Sequence, residues 1–337
     1  MKKQFEGKKI ILAITSDFKI YECFIENLNL LGFETVLLCD NTPFRYKSNT
    51  HKVISFLRKV FLGDKSYKKK LQSAFRNATY LDTLHHVPND FDYGLVIRPD
   101  LFDQNILELV QQKTKELYAY QWDGLNRFPM AATTIPLFKK FYVFDKQDLV
   151  NNPKVSILNN FYFDCYTAIF DSKKPAFDVY YLGSFDDRMD TLLVVCEQLH
   201  KLGLKLNINI MAKKSKAKKL KQYPYINILK KPISFKENLV HVANTKIILD
   251  MAHDSLHKGL SFRPFEALGY HKKLITTNTA IKDYDFYTQN NIHIYDNPTN
   301  LALFIKTDLV EIKPEIKHKY SFSYWIEHTL QITGSQP

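Results

Sequence analysis

Arg263, Pro264 and Glu266 stand within four residues of one another, directly after Gly259-Leu260-Ser261. The glycine-containing stretch reads as a loop. Pro264 suits the first turn of a short helix, where its missing N–H would have no partner anyway. A loop feeding a helix N-terminus offers unpaired amides and a positive dipole end to an anion. Arg263 adds a planar fork that grips two phosphate oxygens at once, which a lysine cannot do. Backbone amides at Gly259 and Leu260, the Ser261 hydroxyl, Arg263 and the Glu266 carboxylate one turn further would together suit a ligand bearing both a diphosphate and hydroxyl groups.

Further candidates follow predicted strands. Gly183-Ser184 comes directly after an apolar run, where a glycine lets the backbone approach a ligand closely, and Arg188 would neutralise a departing diphosphate. Lys213 is a second cation within reach of the phosphates. Three polar clusters, Thr15-Ser16-Asp17, Arg98-Pro99-Asp100 and Trp122-Asp123-Gly124, also follow strands. A hydroxyl acting as nucleophile needs a general base. Asp123 is the first expectation for it, with Asp17 and Asp100 as competitors, although Asp17 suits capping of the next helix better. Trp122 would stack on a sugar ring and Arg98 would line the same acceptor side.

Metal chemistry finds little support. His253 and His257 have the spacing of a helical zinc pair but lack an obvious third ligand, and Asp186-Asp187 are adjacent, which points them apart on extended backbone. No metal and no other cofactor is expected. Nor is there a G-x-G-x-x-G fingerprint, a phosphate-binding P-loop or a nucleophile elbow.

These residues need elements to position them. Ile10-Ile-Leu-Ala-Ile14 reads as a strand buried on both faces, and Asp17–Leu31 as a helix stopped by Gly32. Strands follow at Glu34–Cys39, Tyr93–Ile97, Glu116–Tyr120 and Lys140–Phe144. A second series begins at Val179–Leu182, with strands at Lys205–Ile210, Ile226–Leu229, Lys246–Asp250, Leu274–Thr277 and Ile292–Tyr295. Strand–helix alternation predicts open, doubly wound α/β sheets that bind ligands beyond their C-terminal strand ends. A length of 337 residues suits two domains, 1–150 and 178–318, with 151–177 as a linker and 319–337 as a terminal helix.

Glu266-Ala267-Leu268, followed by a strand ending in Thr277, resembles the donor-site motif of GT-B glycosyltransferases, with Lys258 where that family has its first Glu. Arg263-x-Phe265-Glu266-Ala267-Leu268 is closer to the branch of CgeB-like proteins and bacterial lipopolysaccharide or capsule transferases. The segments Asp178–Arg188, Asp92–Arg98, Tyr120–Asp123 and Val143–Asp148 resemble that group in the same order. The resemblance implies two Rossmann-like domains facing a cleft, ribose binding by Glu266, and a terminal helix that packs back on the first domain. It also implies a nucleotide-sugar donor and a glycan or lipid-linked glycan acceptor. A sugar-nucleotide 2-epimerase of the same architecture and a non-catalytic polyanion binder are the alternatives.

An apolar content of 45% with 14% aromatics excludes disorder, and no apolar run is long enough to span a bilayer. Cys23, Cys39, Cys165 and Cys196 are dispersed, as in a reducing cytoplasm. The net charge of +12 predicts attraction to polyanions. Between Arg58 and Arg76 bases alternate with aromatic and aliphatic residues, which suits an amphipathic segment on an anionic membrane surface. The lysines of 213–221 lack apolar partners and read as an exposed rim. No nucleic-acid module is present.

Overall fold

The computed structural model describes residues 4–168, 174–252, 258–296 and 300–332. Six strands form the first sheet: β1 (Lys9–Ala13), β2 (Glu34–Leu38), β3 (Phe91–Ile97), β4 (Thr114–Gln121), β5 (Lys140–Val143) and β6 (Val155–Ile157), in the order β2-β1-β3-β4-β5-β6. Six more form the second: β7 (Val179–Ser184), β8 (Leu206–Met211), β9 (Ile226–Leu229), β10 (Ile247–Asp250), β11 (Lys273–Thr276) and β12 (Ile292–Ile294), in the order β12-β11-β10-β7-β8-β9. All their pairings are parallel. The expected α/β class with two doubly wound sheets is the one the chain adopts. Strand order reverses between β1 and β3 and between β7 and β10, which are the places where such sheets leave a crevice for ligands.

Burial explains the apolar runs. Along β1, Ile10, Leu12 and Ile14 enter one core while Ile11 and Ala13 enter another on the opposite face. Alternate side chains of a strand point to opposite faces, so a strand covered on both sides must be apolar throughout.

The helices of the first half are α1 (Ile20–Leu31), α2 (Asn49–Phe61), α3 (Ser66–His85) and α4 (Gln104–Lys113). Those of the second are α5 (Met189–Lys201), α6 (Lys214–Leu220), α7 (Phe235–Ala243) and α8 (Phe262–Gly269). The chain closes with α9 (Leu301–Lys306), α10 (Pro314–Lys319) and α11 (Phe322–Thr329). Three features differ from the sequence reading. Strand β6 lies inside the stretch expected to be a linker, pairing with β5 through Phe141–Val155. The terminal helix, expected over 319–337, starts at Phe322 after the separate turn of α10. Helix α1 starts at Ile20, because Phe18 and Lys19 take left-handed backbone angles (φ 51° and 53°) that interrupt the expected helix.

An aromatic core joins the halves. The Phe24 ring on α1 makes edge contacts with Phe161 (5.7 Å), Phe163 (5.4 Å) and Phe322 (5.3 Å). Helix α11 also returns to the first sheet, where the Tyr118 hydroxyl donates to the Leu330 carbonyl at 3.1 Å. Helix α7 of the second half packs on α1, with Lys236 Nζ 2.7 Å from Glu26. Among the described residues no helix is long and apolar enough to cross a membrane.

Candidate functional site

A cavity of about 320 Å³ opens at the C-terminal ends of β7, β8, β9 and β10, at the crevice where strand order reverses. Six expected residues line it: Gly183, Ser184, Arg188, Ser261, Arg263 and Glu266. Several others, including Tyr180, Tyr181, Asn238 and Phe18, carry no local pattern that marks them.

Glu266 is 3% exposed. Burial pushes its carboxyl up to about 7; the Arg263 charge pulls it back in part, and Asp250 opposes that. Asn238 Nδ2 donates to Glu266 Oε1 at 3.4 Å, while its Oδ1 accepts from the Tyr180 hydroxyl at 3.0 Å. The Glu266 side chain is therefore aimed by a two-step chain anchored on β7. Nothing in the sequence links Tyr180, Asn238 and Glu266, because they meet only through the fold.

Helix α8 is capped by Ser261, whose hydroxyl accepts from the Arg263 amide at 3.3 Å and donates to Asp250 Oδ1 at 2.9 Å. Asp250 is 2% exposed and also accepts from the Thr276 hydroxyl at 2.9 Å. Arg263 donates to Asp250 at 3.3 Å and to the Leu182 carbonyl at 2.7 Å, and its guanidinium lies 5.4 Å from the Tyr181 ring centre. Among the described residues two of its five N–H groups are thus committed. Arg188 is held more fully: Asp186 takes two bonds at 3.0 and 2.6 Å and the Met251 carbonyl a third at 3.0 Å. Both arginines are oriented by carboxylates, so each stands beside the cavity fixed in place and with its charge partly balanced.

Several expectations are corrected. Gly259 and Leu260 are not among the residues lining the cavity. A side chain at Gly259 would meet the Phe144 ring at 2.5 Å and the Phe144 carbonyl oxygen at 2.8 Å, so glycine there permits contact with the first half. Leu260 is 2% exposed, its carbonyl accepts from Asn160 at 2.9 Å, and the Lys258 amide donates to Asp145 at 2.7 Å. The amide-rich turn thus closes the junction between halves, and the cavity wall begins at Ser261. At Gly183, the space a side chain would take is filled by the Tyr181 hydroxyl at 2.5 Å, which is why that position is glycine. Lys213 is exposed just before α6, outside the residues lining the cavity. His253 and His257 lie outside the described residues.

The first-half candidates meet at the C-terminal ends of β3 and β4, but not as free groups. Arg98 forks onto Asp100 at 2.8 and 2.7 Å, also donates to Asp123, and stacks on Phe128 at 4.1 Å. Arg127 reaches Asp123 from the other side at 3.4 Å. Asp100 and Asp123 are therefore paired with cations, and Arg98 is 8% exposed. Trp122 is wedged between Phe24 (6.4 Å) and Phe262 (5.9 Å) instead of standing open as a stacking platform. Asp17 makes no cap. It is exposed, and its carboxylate accepts from the Thr15 hydroxyl, 3.2 Å from Asp17 Oδ2.

A second opening of about 490 Å³ lies between the halves, lined by Ser16, Phe18, Lys19 and Glu22 on one side and residues 232–240 on the other. Phe18, Pro232, Ile233 and Ser234 border both spaces, so the two communicate. Two successive left-handed residues without glycine cost roughly 1–2 kcal/mol each, and that strain brings Phe18 to the lip of the cavity.

No protein-family model matches the chain, and no curated protein matches it. Among solved structures it is similar to AviGT4, a glycosyltransferase involved in avilamycin A biosynthesis, with a TM-score of 0.58 over 96% of each chain at 9% identity. It is also similar to a glycosyltransferase from Rickettsia africae ESF-5, with a TM-score of 0.49, 14% identity, and 96% of this chain and 97% of that one covered. The AviGT4 likeness shows the fold: two parallel α/β sheets across a cleft in the arrangement of GT-B glycosyltransferases.

Proposed function

We propose that the chain is a glycosyltransferase that moves a sugar from a nucleotide-diphosphate donor to a hydroxyl of a bacterial surface glycan. The observation that carries this reading is the cavity at the β7/β10 crevice, where a buried Glu266 and two anchored arginines converge within a GT-B fold. In this reading the donor's ribose hydroxyls meet Glu266, the residue that matches the family motif. The diphosphate meets Ser184, Ser261 and the remaining N–H groups of Arg263 and Arg188. The arginines stabilise the charge that develops on the leaving diphosphate, with no metal called upon.

The acceptor enters through the opening between the halves. We assign the general base to Asp17, because Asp100 and Asp123 are held by Arg98 while Asp17 is exposed between Ser16 and Phe18, two residues that line that opening. Its carboxylate takes the acceptor proton as the hydroxyl oxygen bonds to the anomeric carbon. The bond from that carbon to the phosphate oxygen breaks, and the nucleoside diphosphate leaves with the electron pair. Closure of the cleft would keep water from competing.

A melting-temperature screen against UDP-, GDP-, CMP- and dTDP-sugars tests the donor site. A ligand at 100 times its Kd stabilises the native state by about 2.7 kcal/mol. One class should raise the melting point, and Glu266→Ala should lose the rise. Turnover unchanged in both Glu266→Ala and Arg263→Ala would remove this site from the reaction. Isomerisation of the donor without acceptor would replace transfer by epimerisation.

A further inference from the structure

Helix α2 turns an apolar stripe outward. Val53, Phe56, Leu57, Val60 and Phe61 follow the i, i+3, i+4, i+7, i+8 spacing of one helix face, yet Phe56 is 63%, Phe61 75% and the adjoining Leu62 72% exposed. The opposite face is the one that holds the helix: Ser55 is buried, with its hydroxyl 3.3 Å from the Tyr46 hydroxyl. Arg58 pairs with Asp64 at 3.5 Å and lies 5.1 Å from the Tyr67 ring centre, fixing the turn into α3. The stripe is thus a supported surface.

Charge decides what fits it. From Arg45 to Leu81 the chain carries ten lysines and arginines and one acidic residue, Asp64, so nine of its twelve net positive charges lie in this segment. A second copy packing here about a two-fold axis would set like patch against like patch, bringing those charges together. Nucleic acid would satisfy the lysines and could stack bases on Phe56 and Phe61, but it would leave the aliphatic Val53, Leu57, Val60 and Leu62 in water. A bilayer surface with anionic headgroups satisfies both, burying the apolar face at the acyl boundary while the bases meet the headgroups.

We propose that the α2–α3 hairpin is a docking surface for an anionic lipid bilayer. It also bears on the cleft. Arg76 of α3 lies 3.6 Å from Asp40, and Asp40 accepts from the Ser16 amide at 2.9 Å, in the loop that carries Asp17 and Phe18. A docked hairpin would hold the acceptor opening beside the membrane, where a lipid-linked hydroxyl is presented. That last step rests on the transferase reading; the docking itself does not.

The test is co-sedimentation of the full chain with vesicles of phosphatidylcholine alone and with about one-third phosphatidylglycerol. Binding is expected on the anionic vesicles only, and to weaken with salt. Phe56→Ser/Phe61→Ser and Lys68→Glu/Lys69→Glu should each lower partitioning by about tenfold or more, with unchanged circular dichroism. Absence of binding, equal binding to neutral vesicles, or indifference to both variants would overturn the proposal. So would self-association on a sizing column that Phe56→Ser/Phe61→Ser abolishes. Donor-induced melting shifts should be the same in these variants, so a failure of docking is separable from a failure of the donor site.

Discussion

Arg263 donates to Asp250 across 3.3 Å, joining the first turn of α8 to the C-terminal end of β10. The carboxylate is 2% exposed and gathers Ser261, Thr276 and Arg263 around itself. Removing the arginine leaves an uncompensated buried charge, whereas removing both charges leaves two hydroxyls to re-pair. Arg263→Met should therefore lower stability by about 2–4 kcal/mol, and Asp250→Asn/Arg263→Met by less. Urea unfolding of the native chain and both variants is the check, and a double variant weaker than Arg263→Met contradicts the account.

Glu266 predicts a pH dependence. Its folded pKa lies near 7, above the ordinary 4.5, so the folded state binds the proton more tightly. Stability from this group is present at low pH and is lost as pH rises from about 4.5 through 7, by up to about 3 kcal/mol. Glu266→Gln keeps the neutral form at every pH. Melting curves at pH 5 and pH 8 should show the variant gaining on the native chain by several degrees at pH 8. An identical difference at both values contradicts a buried, proton-binding carboxyl.

The ion pairs of Arg98 predict which aspartate matters. Asp17→Asn should lower turnover by about 10²–10⁴, the usual worth of a general base. Asp123→Asn, which keeps a hydrogen-bond acceptor for Arg98, should stay within about threefold of native turnover and act mainly on stability. The reverse order of effects would return the base to Asp123.

Gly259→Ala places a methyl group against Phe144 ring and backbone atoms. Overpacking of that kind costs about 1–3 kcal/mol. Because the contact crosses the halves, the loss should appear with a larger radius of gyration in small-angle scattering. A stable, equally compact variant would mean that the turn yields easily.

Much of the architecture could be read from local pattern. Strands such as β1 and β10, buried on both faces, announce themselves as apolar runs, and Pro264 marks a short helix, although it begins at Phe262 with Ser261 as its cap. Strand β6 could not be seen, since Val155-Ser156-Ile157 is too short to carry a period and is flanked by residues typical of loops. The mix of bases and apolar residues between Arg58 and Arg76 suits a segment facing outward, but the exposed stripe begins earlier, at Val53 on α2, because only the packing of the helix decides which of its faces is covered. Site chemistry was legible where one segment holds it, at Ser261, Arg263 and Glu266. It failed where pairing is tertiary: Arg98 with Asp123, Asn238 with Glu266, and Gly259 against Phe144 each join residues far apart in the chain. Whether a loop amide faces a ligand or a neighbouring strand end depends on such contacts alone.

The bond from Lys258 to Asp145 lies beyond the end of β5, while Phe18 lies beyond β1. Three strand spacings separate the two places, about 14 Å along the sheet edge. A door hung on the first would swing widest at the second. Ser261 and Arg263, beside the pivot, would keep their positions as the mouth widens, while the Phe18 ring would travel farthest and admit or shut out whatever comes to the sugar.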